Sequence, residues 1–325
     1  MSTGPILTAE DVEITFPGRR RGQVIRAVDR VDFAVDEGET FGIIGESGSG
    51  KTTLGRALVC LLRPTSGRIR HFGEDPFALK PGALRRHRRQ FQIVFQDPNA
   101  ALDPRMTVLQ SVREPLEVAG IGDRRTRNQK TLETLDRVAL TPELASRYPH
   151  ELSGGQKQRA NIARALVLEP QLIVCDEVVA ALDVSIQAEM LNLFADLQRD
   201  FALTYIFISH DLRVVGHISD RVAVMYFGKI VELGTAAEIM TAPLHPYTRA
   251  LLSAEPEPVP ARLRNKERII LKGEVPSAIN PPSGCRFHTR CPMAQPECAT
   301  RAPEWREPVP GRFVACHFAT APPVQ

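Results

Sequence analysis

The sequence has no long apolar run. No segment of its 325 residues offers the roughly 18 consecutive apolar residues that a membrane-spanning helix needs. The first residues, MSTGPILTAEDVEI, lack the apolar core of a signal peptide. The sequence therefore predicts a cytosolic protein. A net charge of only +3 is too small to indicate a nucleic-acid partner by itself.

Cysteine is scarce and unevenly placed. Of the six cysteines, Cys60 and Cys175 lie in an expected helix and an expected strand, and we interpret them as packing residues. The other four gather near the C-terminus: Cys285, Cys291, Cys298 and Cys316. In the cytosol, clustered cysteines more often bind a metal or do redox chemistry than form disulfides.

Short apolar runs alternate with helical stretches. GETFGIIG, RQFQIVFQDP, QLIVCDE and TYIFISH are predicted strands, and KTTLGRALVCLL and SIQAEMLNLFADLQRDF are predicted helices. This alternation predicts an α/β fold with a mainly parallel sheet. Helical spacing without a strand signal indicates a helical insert at about 107–160. A Pro-rich, charged segment, 253–270, is a predicted linker between residues 1–252 and a small Cys-containing extension, 271–325.

The segment GESGSGKT, residues 45–52, fits the pattern G-x-x-x-x-G-K-[ST], with an apolar strand before it and a helix after it. Such a loop turns its backbone N–H groups toward phosphate oxygens, at a helix N-terminus that favours anions. Lys51 is expected to reach the β- and γ-phosphates, and the Thr52 hydroxyl to bind Mg²⁺. The predicted ATP-binding residues of this segment are Gly45, Glu46, Ser47, Gly48, Ser49, Gly50, Lys51, Thr52 and Thr53.

Polar residues end three other predicted strands. Asp176 ends LIVCD, on the side of the sheet where ligands bind, and is a candidate for holding Mg²⁺. Glu177 follows it and is the candidate for polarising the attacking water. Gln96 is placed to sense both the metal and that water, and His210 to hydrogen-bond the γ-phosphate. An isolated Gln or His at such a position is more often ordinary loop chemistry.

The segment LSGGQKQR, Leu152–Arg159, closely resembles the signature of ABC-type ATPases. The order of the motifs along residues 5–250 is also similar to that family. The resemblance implies an ABC-type fold with an added antiparallel β part, and two ATPase domains that sandwich ATP between the phosphate loop of one and the signature of the other. It also implies that Phe16 stacks on adenine. The signature residues facing the partner's ATP would be Ser153, Gly154, Gly155 and Gln156.

The chain departs from the family in DEVVAALD. Val178 stands where the family usually has Pro, and Ala180 where it usually has Ser before Ala-Leu-Asp. Glu177 and Asp183 are retained. Losing the Ser hydroxyl removes a possible contact across the dimer, which puts fine coupling in doubt but not hydrolysis.

Three further stretches, FQDPNAALDPRMTV, HPYTRALLSAEP and NPPSGCRFHTRCPMA, resemble ATP-binding subunits of oligopeptide/dipeptide importers, of the type of the second of two paired ATPases. The resemblance implies a second related ATPase, two transmembrane permease subunits, an extracytoplasmic substrate-binding protein, and a location at the cytoplasmic face of the cell membrane. Import of nickel or another small solute is the alternative. The rival interpretation is a soluble ABC ATPase that acts on nucleic acid. The basic run RRHRR, residues 85–89, is the feature that favours it.

The cysteines Cys285, Cys291, Cys298 and Cys316 have five, six and seventeen residues between neighbours. This is neither zinc-ribbon nor common ferredoxin spacing. The resemblance to peptide-importer ATPases implies a [4Fe–4S] cluster on these four residues. Zinc, with His288 or His317 in place of a thiol, is an alternative, and so are unligated thiols or disulfides.

Overall fold

The computed structural model describes residues 4–18, 20, 22–180, 182–255, 269–271, 273, 277, 279 and 281–319. Within these ranges the strands are β1 (Leu7–Pro17), β2 (Val24–Val35), β3 (Thr40–Ile44), β4 (Ser66–His71), β5 (Phe91–Val94), β6 (Leu172–Asp176), β7 (Thr204–Ser209), β8 (Arg221–Tyr226), β9 (Lys229–Thr235), β10 (Arg306–Val309) and β11 (Arg312–Val314).

The α-helices of the same ranges are α1 (Lys51–Leu58), α2 (Pro81–His87), α3 (Pro98–Ala101), α4 (Val108–Ala119), α5 (Arg124–Arg137), α6 (Pro142–Ala145), α7 (Gly154–Leu166), α8 (Val184–Phe201), α9 (Leu212–Ile218), α10 (Ala236–Thr241), α11 (Pro246–Ala254) and α12 (Pro296–Thr300). Two short 3-10 helices occupy Pro76–Ala78 and Pro149–Glu151.

The strands form two sheets. Strands β2, β1 and β4 make an antiparallel sheet, and the larger sheet has the order β10-β11-β9-β8-β3-β7-β6-β5. Strands β8, β3, β7, β6 and β5 of the larger sheet run parallel. Every residue of β3, β6 and β7 is buried, as expected of strands covered on both faces. The expected fold, a mainly parallel core with an antiparallel part, is confirmed.

Residues 95–171, all of them described, contain helices and loops but no strand. This agrees with the helical insert expected there. Helices α4 and α5 pack on each other and contribute Val112, Leu116 and Leu135 to the same buried cluster as Ile173 of β6. The insert is therefore packed onto the core sheet, next to the edge where β5 ends.

The helix after the phosphate loop is shorter than its sequence predicts. Helix α1 ends at Leu58, and Cys60 lies in the left-handed region with φ 61°. The N–H groups of Cys60 and Leu61 bond back to the carbonyls of Ala57 and Arg56, which is the pattern that closes a helix. The placement of Cys60 in a helix is thus wrong, although Cys60 and Cys175 are both buried, as predicted.

The C-terminal extension continues the core sheet. Phe313 and Val314 of β11 pair antiparallel with Leu233 and Glu232 of β9, and β10 pairs with β11. The Glu232 carboxylate is buried; it accepts hydrogen bonds from the Leu244 and His245 N–H groups and lies 3.5 Å from the guanidinium of Arg312. Most of the predicted linker, residues 256–268, lies outside the described residues.

Candidate nucleotide site

A cavity of about 330 Å³ opens where the phosphate loop, Gln96 and Glu177 meet the beginning of β2 and the turn after β8. It joins the carboxyl ends of the parallel strands to the antiparallel sheet, the place where ligands bind in such folds. The residues that line it are Ile25, Arg26, Ala27, Ser47, Gly48, Gly50, Lys51, Thr52, Thr53, Gln96, Glu177, Phe227 and Gly228.

The phosphate loop is tightly wrapped against its neighbours. A Cβ at Gly50, where φ is 104°, would lie 2.0 Å from the Ala27 carbonyl oxygen, so only glycine fits there. Lys51, 4% exposed, donates from Nζ to the carbonyls of Gly45 at 2.7 Å and Glu46 at 3.0 Å. Burial lowers the pKa of Lys51, while the nearby carboxylate of Glu177 opposes that shift. The loop thus holds the Lys51 ammonium against its own carbonyls, at a residue that also lines the cavity.

The residues predicted to hold Mg²⁺ lie together. The Thr52 hydroxyl donates to Asp176 Oδ1 at 3.0 Å, and Gln96 lines the same cavity. Burial raises the pKa of Asp176, and the hydrogen bond from Thr52 opposes this rise. Hydroxyl, carboxylate and amide oxygens are ligands that Mg²⁺ accepts, so the donor set fits the ion. When bound with ATP, the ion would neutralise phosphate charge.

Glu177 and His210 also come together at this edge. The Glu177 Oε1 lies 3.3 Å from His210 Nδ1, and the Glu177 N–H donates to the Ile208 carbonyl at 2.9 Å. Glu177 has φ 51°, a left-handed conformation that is uncommon for a residue other than glycine and is concentrated at functional sites. With this backbone conformation, Glu177 lines the cavity.

Some predicted site residues lie outside the cavity lining. Gly45, Glu46 and Ser49 belong to the phosphate loop but do not line the cavity. Phe16 is 37% exposed on β1 and pairs in register with Ile25, which does line the cavity. Adenine stacking by Phe16 therefore stays a prediction.

The signature residues lie at the beginning of α7. Ser153 is the N-cap residue: its hydroxyl accepts from the Gln156 N–H at 3.3 Å, and the Gln156 side chain accepts from the Ser153 N–H at 2.9 Å. Ser153 and Gly154 are exposed, and neither lines the chain's own cavity. The N-terminus of α7 is thus exposed and lies outside this nucleotide cavity.

Val178, one of the two departures from the family motif, is buried in the core. Val178 and Val179 are both buried in the cluster that lies beneath the helical insert. The Ala180 N–H donates to the Glu177 carbonyl at 3.2 Å and closes a tight turn. Val178 therefore contributes to packing in the segment that follows the candidate catalytic carboxylate.

The four C-terminal cysteines line one small cavity of about 20 Å³, together with His288 and His317. Burial raises the pKa of Cys285 to about 11, and the three other thiols contribute to the same shift; burial also raises the pKa of Cys291. Among the described residues, however, no three His, Cys, Asp or Glu side chains are grouped closely enough to hold a metal ion. The four-cysteine donor set suits a cluster, but its placement here does not form a metal-binding group.

Sequence analysis missed several residues of the site. Ile25, Arg26 and Phe227 line the cavity, and Arg290 of the C-terminal extension reaches Glu46 of the phosphate loop. These residues carry no motif, and they arrive from distant parts of the chain. A local pattern could not have indicated them.

Two family models match the chain. Residues 28–180 match the model described as ABC transporter, and residues 231–298 match the model described as oligopeptide/dipeptide transporter, C-terminal region. The first match spans the phosphate loop, the signature and Glu177. The second spans β9 and the first three cysteines of the extension.

Known relatives extend the likeness to nearly the whole chain. The oligopeptide transport ATP-binding protein AppF of Bacillus subtilis (strain 168) is 52% identical over 96% of this chain and 97% of its own length. The putative peptide import ATP-binding protein BOV_A0347 of Brucella ovis is 49% identical over 97% of this chain and 98% of its own length.

Solved structures agree with the fold. The chain is 28% identical to cbiO1 of Clostridium perfringens, part of the ABC transporter complex cbiONQ, with a TM-score of 0.65 over 74% of this chain and 92% of that one. It is 29% identical to the dimeric ATP-binding cassette MJ0796 bound to ADP and Pi, with a TM-score of 0.64 over 71% of this chain and 98% of that one. The chain therefore belongs to the ABC transporter family of ATP-binding proteins, in the branch that carries the oligopeptide/dipeptide transporter C-terminal region.

Proposed function

We propose that the chain is an ATP-hydrolysing subunit that powers the import of peptides through partner permease subunits. The observation that carries this proposal is the identity of about half of all residues, over nearly the full length, with ATP-binding proteins named for oligopeptide transport and peptide import. The cavity supplies the chemistry: a phosphate loop, Mg²⁺ ligands in Thr52 and Asp176, and a carboxylate in Glu177 to orient water.

ATP is sandwiched between two ATPase subunits in this proposal. The cavity provides a phosphate loop but no signature residue, while Ser153 and Gly154 are exposed elsewhere on the chain. A helix N-terminus favours anions, so the α7 end suits the γ-phosphate of ATP bound to a partner. The dimeric neighbour bound to ADP and Pi supports the same assembly.

The remaining partners complete the transporter. They are a second, related ATPase, two transmembrane permeases and an extracytoplasmic binding protein that delivers the peptide. In the part of the chain that the structure describes, no helix is both long and apolar enough to cross a membrane. The pore in this proposal belongs to the permeases, and the chain attaches to them at the cytoplasmic face.

The basic run offers little support for a nucleic-acid function. Arg88 donates to the Cys60 carbonyl at 2.6 Å, and Arg89 donates to the Ala119 carbonyl at 2.7 Å. These two guanidinium groups fasten α2 to neighbouring segments, which is a structural use of the charge.

Coexpression tests the proposed function. The chain alone is expected to hydrolyse ATP slowly, and the complex with the paired ATPase and permeases at least about tenfold faster, because half of each site comes from another subunit. Peptide-loaded binding protein should raise the rate further. The measurement is phosphate release from each assembly in proteoliposomes, with nickel-loaded binding protein compared with the peptide-loaded form. High activity of the isolated chain, unchanged by any partner, would contradict the proposal.

We propose the four clustered cysteines as the ligands of a [4Fe–4S] cluster. The support is that all four thiols line one cavity, and that four thiols are the donor set of such a cluster. Cys285 N–H donates to the Cys298 carbonyl at 2.8 Å, which fixes two of them side by side. Because the thiols are not grouped closely enough to hold an ion as placed, ligation requires their side chains to move closer together and to lose their protons.

Anaerobic purification tests the cluster. Brown protein that absorbs broadly near ~400 nm, with roughly four iron and four sulfide per chain, is the expected result. Cys298→Ser should lose the colour, whereas Cys60→Ala, a change at a buried cysteine outside the group, should keep it. Colourless protein with stoichiometric zinc would support the zinc alternative with His288 or His317. Colourless, metal-free protein with titratable thiols would refute both.

A further inference from the structure

Two arginines of the C-terminal extension contact segments that form the nucleotide cavity. Arg286 and Arg290 lie between Cys285 and Cys291 in the sequence. Arg286 donates to Asp29 and to the carbonyl of Phe227, and Phe227 lines the cavity. The extension thus contacts the turn after β8 through Arg286 and the phosphate loop through Arg290.

Arg290 grips the phosphate loop through a two-pronged ion pair. Its Nη1 donates to Glu46 Oε2 at 2.8 Å and its Nη2 to Glu46 Oε1 at 3.1 Å. The Arg290 side chain is 9% exposed and that of Glu46 30% exposed, so solvent screens the pair only in part. The fork geometry fixes orientation as well as distance, which a single-point contact does not.

Glu46 is held on three sides. Its N–H donates to the Tyr247 hydroxyl at 2.9 Å, its side chain receives Arg290, and its carbonyl accepts from Lys51 Nζ at 3.0 Å. Lys51 is the cation that must reach the phosphates of ATP. A shift of Glu46 would therefore move a direct hydrogen-bond partner of that lysine.

Arg290 is itself rigidly placed. Its N–H donates to the Phe287 carbonyl at 3.0 Å, and Phe287 is buried with its ring 5.2 Å from that of Tyr226 and 5.4 Å from that of Tyr247. The Arg290 guanidinium also lies 6.0 Å from the centre of the Tyr226 ring, within cation–π range. The aromatic cluster fixes the position of Arg290 against the core sheet, and Arg290 in turn fixes Glu46.

We propose that Arg290 is a positioning residue for nucleotide binding, through which the C-terminal extension fixes Glu46 and keeps the phosphate loop in the shape that accepts ATP. The inference rests on the proposed function of the cavity. It gives the extension a role in the ATP site that does not depend on whether the four cysteines hold a cluster. Arg286 holds the turn after β8 through the Phe227 carbonyl.

The alternative is that the ion pair only fastens the extension to the body of the protein. Two other contacts already do so: the pairing of β11 with β9 and the burial of Phe287. A fastening role predicts lower thermal stability with unchanged nucleotide affinity. A positioning role predicts lower affinity even where the fold is intact.

The test measures the dissociation constant of a fluorescent ATP analogue for the full chain, with the unfolding temperature recorded for each variant. Arg290→Gln and Glu46→Gln are each expected to weaken nucleotide binding about tenfold. The reason is that even a small displacement of a group that contacts the ligand can have a large effect. The double variant should be no weaker than either single one, because both remove the same interaction. Arg290→Lys keeps the charge without the fork and should fall between.

Arg301→Gln is the matched control, since it removes an exposed ion pair with Glu297 in the same extension. In the assembled transporter, Arg290→Gln should raise KM for ATP more than it lowers kcat. Wild-type affinity in Arg290→Gln or in Glu46→Gln would overturn the inference, as would additive losses in the double variant. If Arg290→Gln fails to fold, Glu46→Gln decides alone. Failure of the wild-type chain to bind nucleotide would instead contradict the proposed function, and with it the premise of this inference.

Discussion

Glu177→Gln is expected to slow ATP hydrolysis by about a hundredfold or more while leaving ATP binding intact. The amide has the size of the carboxylate but cannot take a proton from the attacking water. Removing a positioned base typically costs on the order of 10²–10⁴ in rate. A hundredfold loss corresponds to about 3 kcal/mol of transition-state stabilisation.

The geometry explains why the effect should be confined to catalysis. The left-handed backbone of Glu177 is held by its N–H bond to the Ile208 carbonyl, which the substitution does not touch. His210 Nδ1, 3.3 Å from the carboxylate, can donate equally to the amide oxygen of Gln. Lys51 and Thr52 are unchanged, so the phosphate and Mg²⁺ contacts should persist.

The measurement is single-turnover ATP hydrolysis by the assembled transporter, paired with nucleotide affinity. Lys51→Ala distinguishes binding from hydrolysis, because this variant should bind ATP more weakly. Glu189→Gln is the control: it removes the same charge at an exposed position of α8 that pairs with Arg159. Near-normal turnover in Glu177→Gln would remove Glu177 from the catalytic role.

The parallel core and its motifs could be predicted because their signals are local. Strands β3, β6 and β7 are mostly apolar and are buried along their whole length, as expected of strands covered on both faces. The start of α7 has an equally local signal, because Ser153 and Gln156, three residues apart, form a capping box. Most of the ATP-site prediction rests on such short-range patterns.

The rest depends on contacts between distant residues. No pattern near Glu46 indicates a partner 244 positions later, although Arg290 meets it in a fork. Strand β11 has three residues, too few to show periodicity, and forms because β9 offers an edge. The end of α1 was missed because Cys60, not glycine, takes the left-handed position there.

Ser153→Arg is expected to abolish the ATP-dependent sandwich while the chain's own phosphate loop still binds ATP. Ser153 is exposed at the N-terminus of α7, away from the chain's own cavity. A long cationic side chain there would occupy the space where the partner's γ-phosphate must dock. It would also remove the hydroxyl that caps α7, a loss of about 1 kcal/mol. Ser153→Ala removes the capping hydroxyl without adding a charge, and so separates the two effects.

The assay is ATP-dependent association of the ATPase pair, followed by light scattering with hydrolysis blocked by Glu177→Gln. Ser153→Arg in this background should leave the subunits unassociated, or remove one of the two sandwiched nucleotides. Ser146→Arg, at an exposed position that follows α6 in the helical insert, adds the same charge and should not disturb association. Because the own-site cavity contains no signature residue, nucleotide affinity of the isolated chain should stay within about twofold of wild type. A pair that still closes fully on ATP with Arg at position 153 would show that the α7 N-terminus does not face the partner's nucleotide.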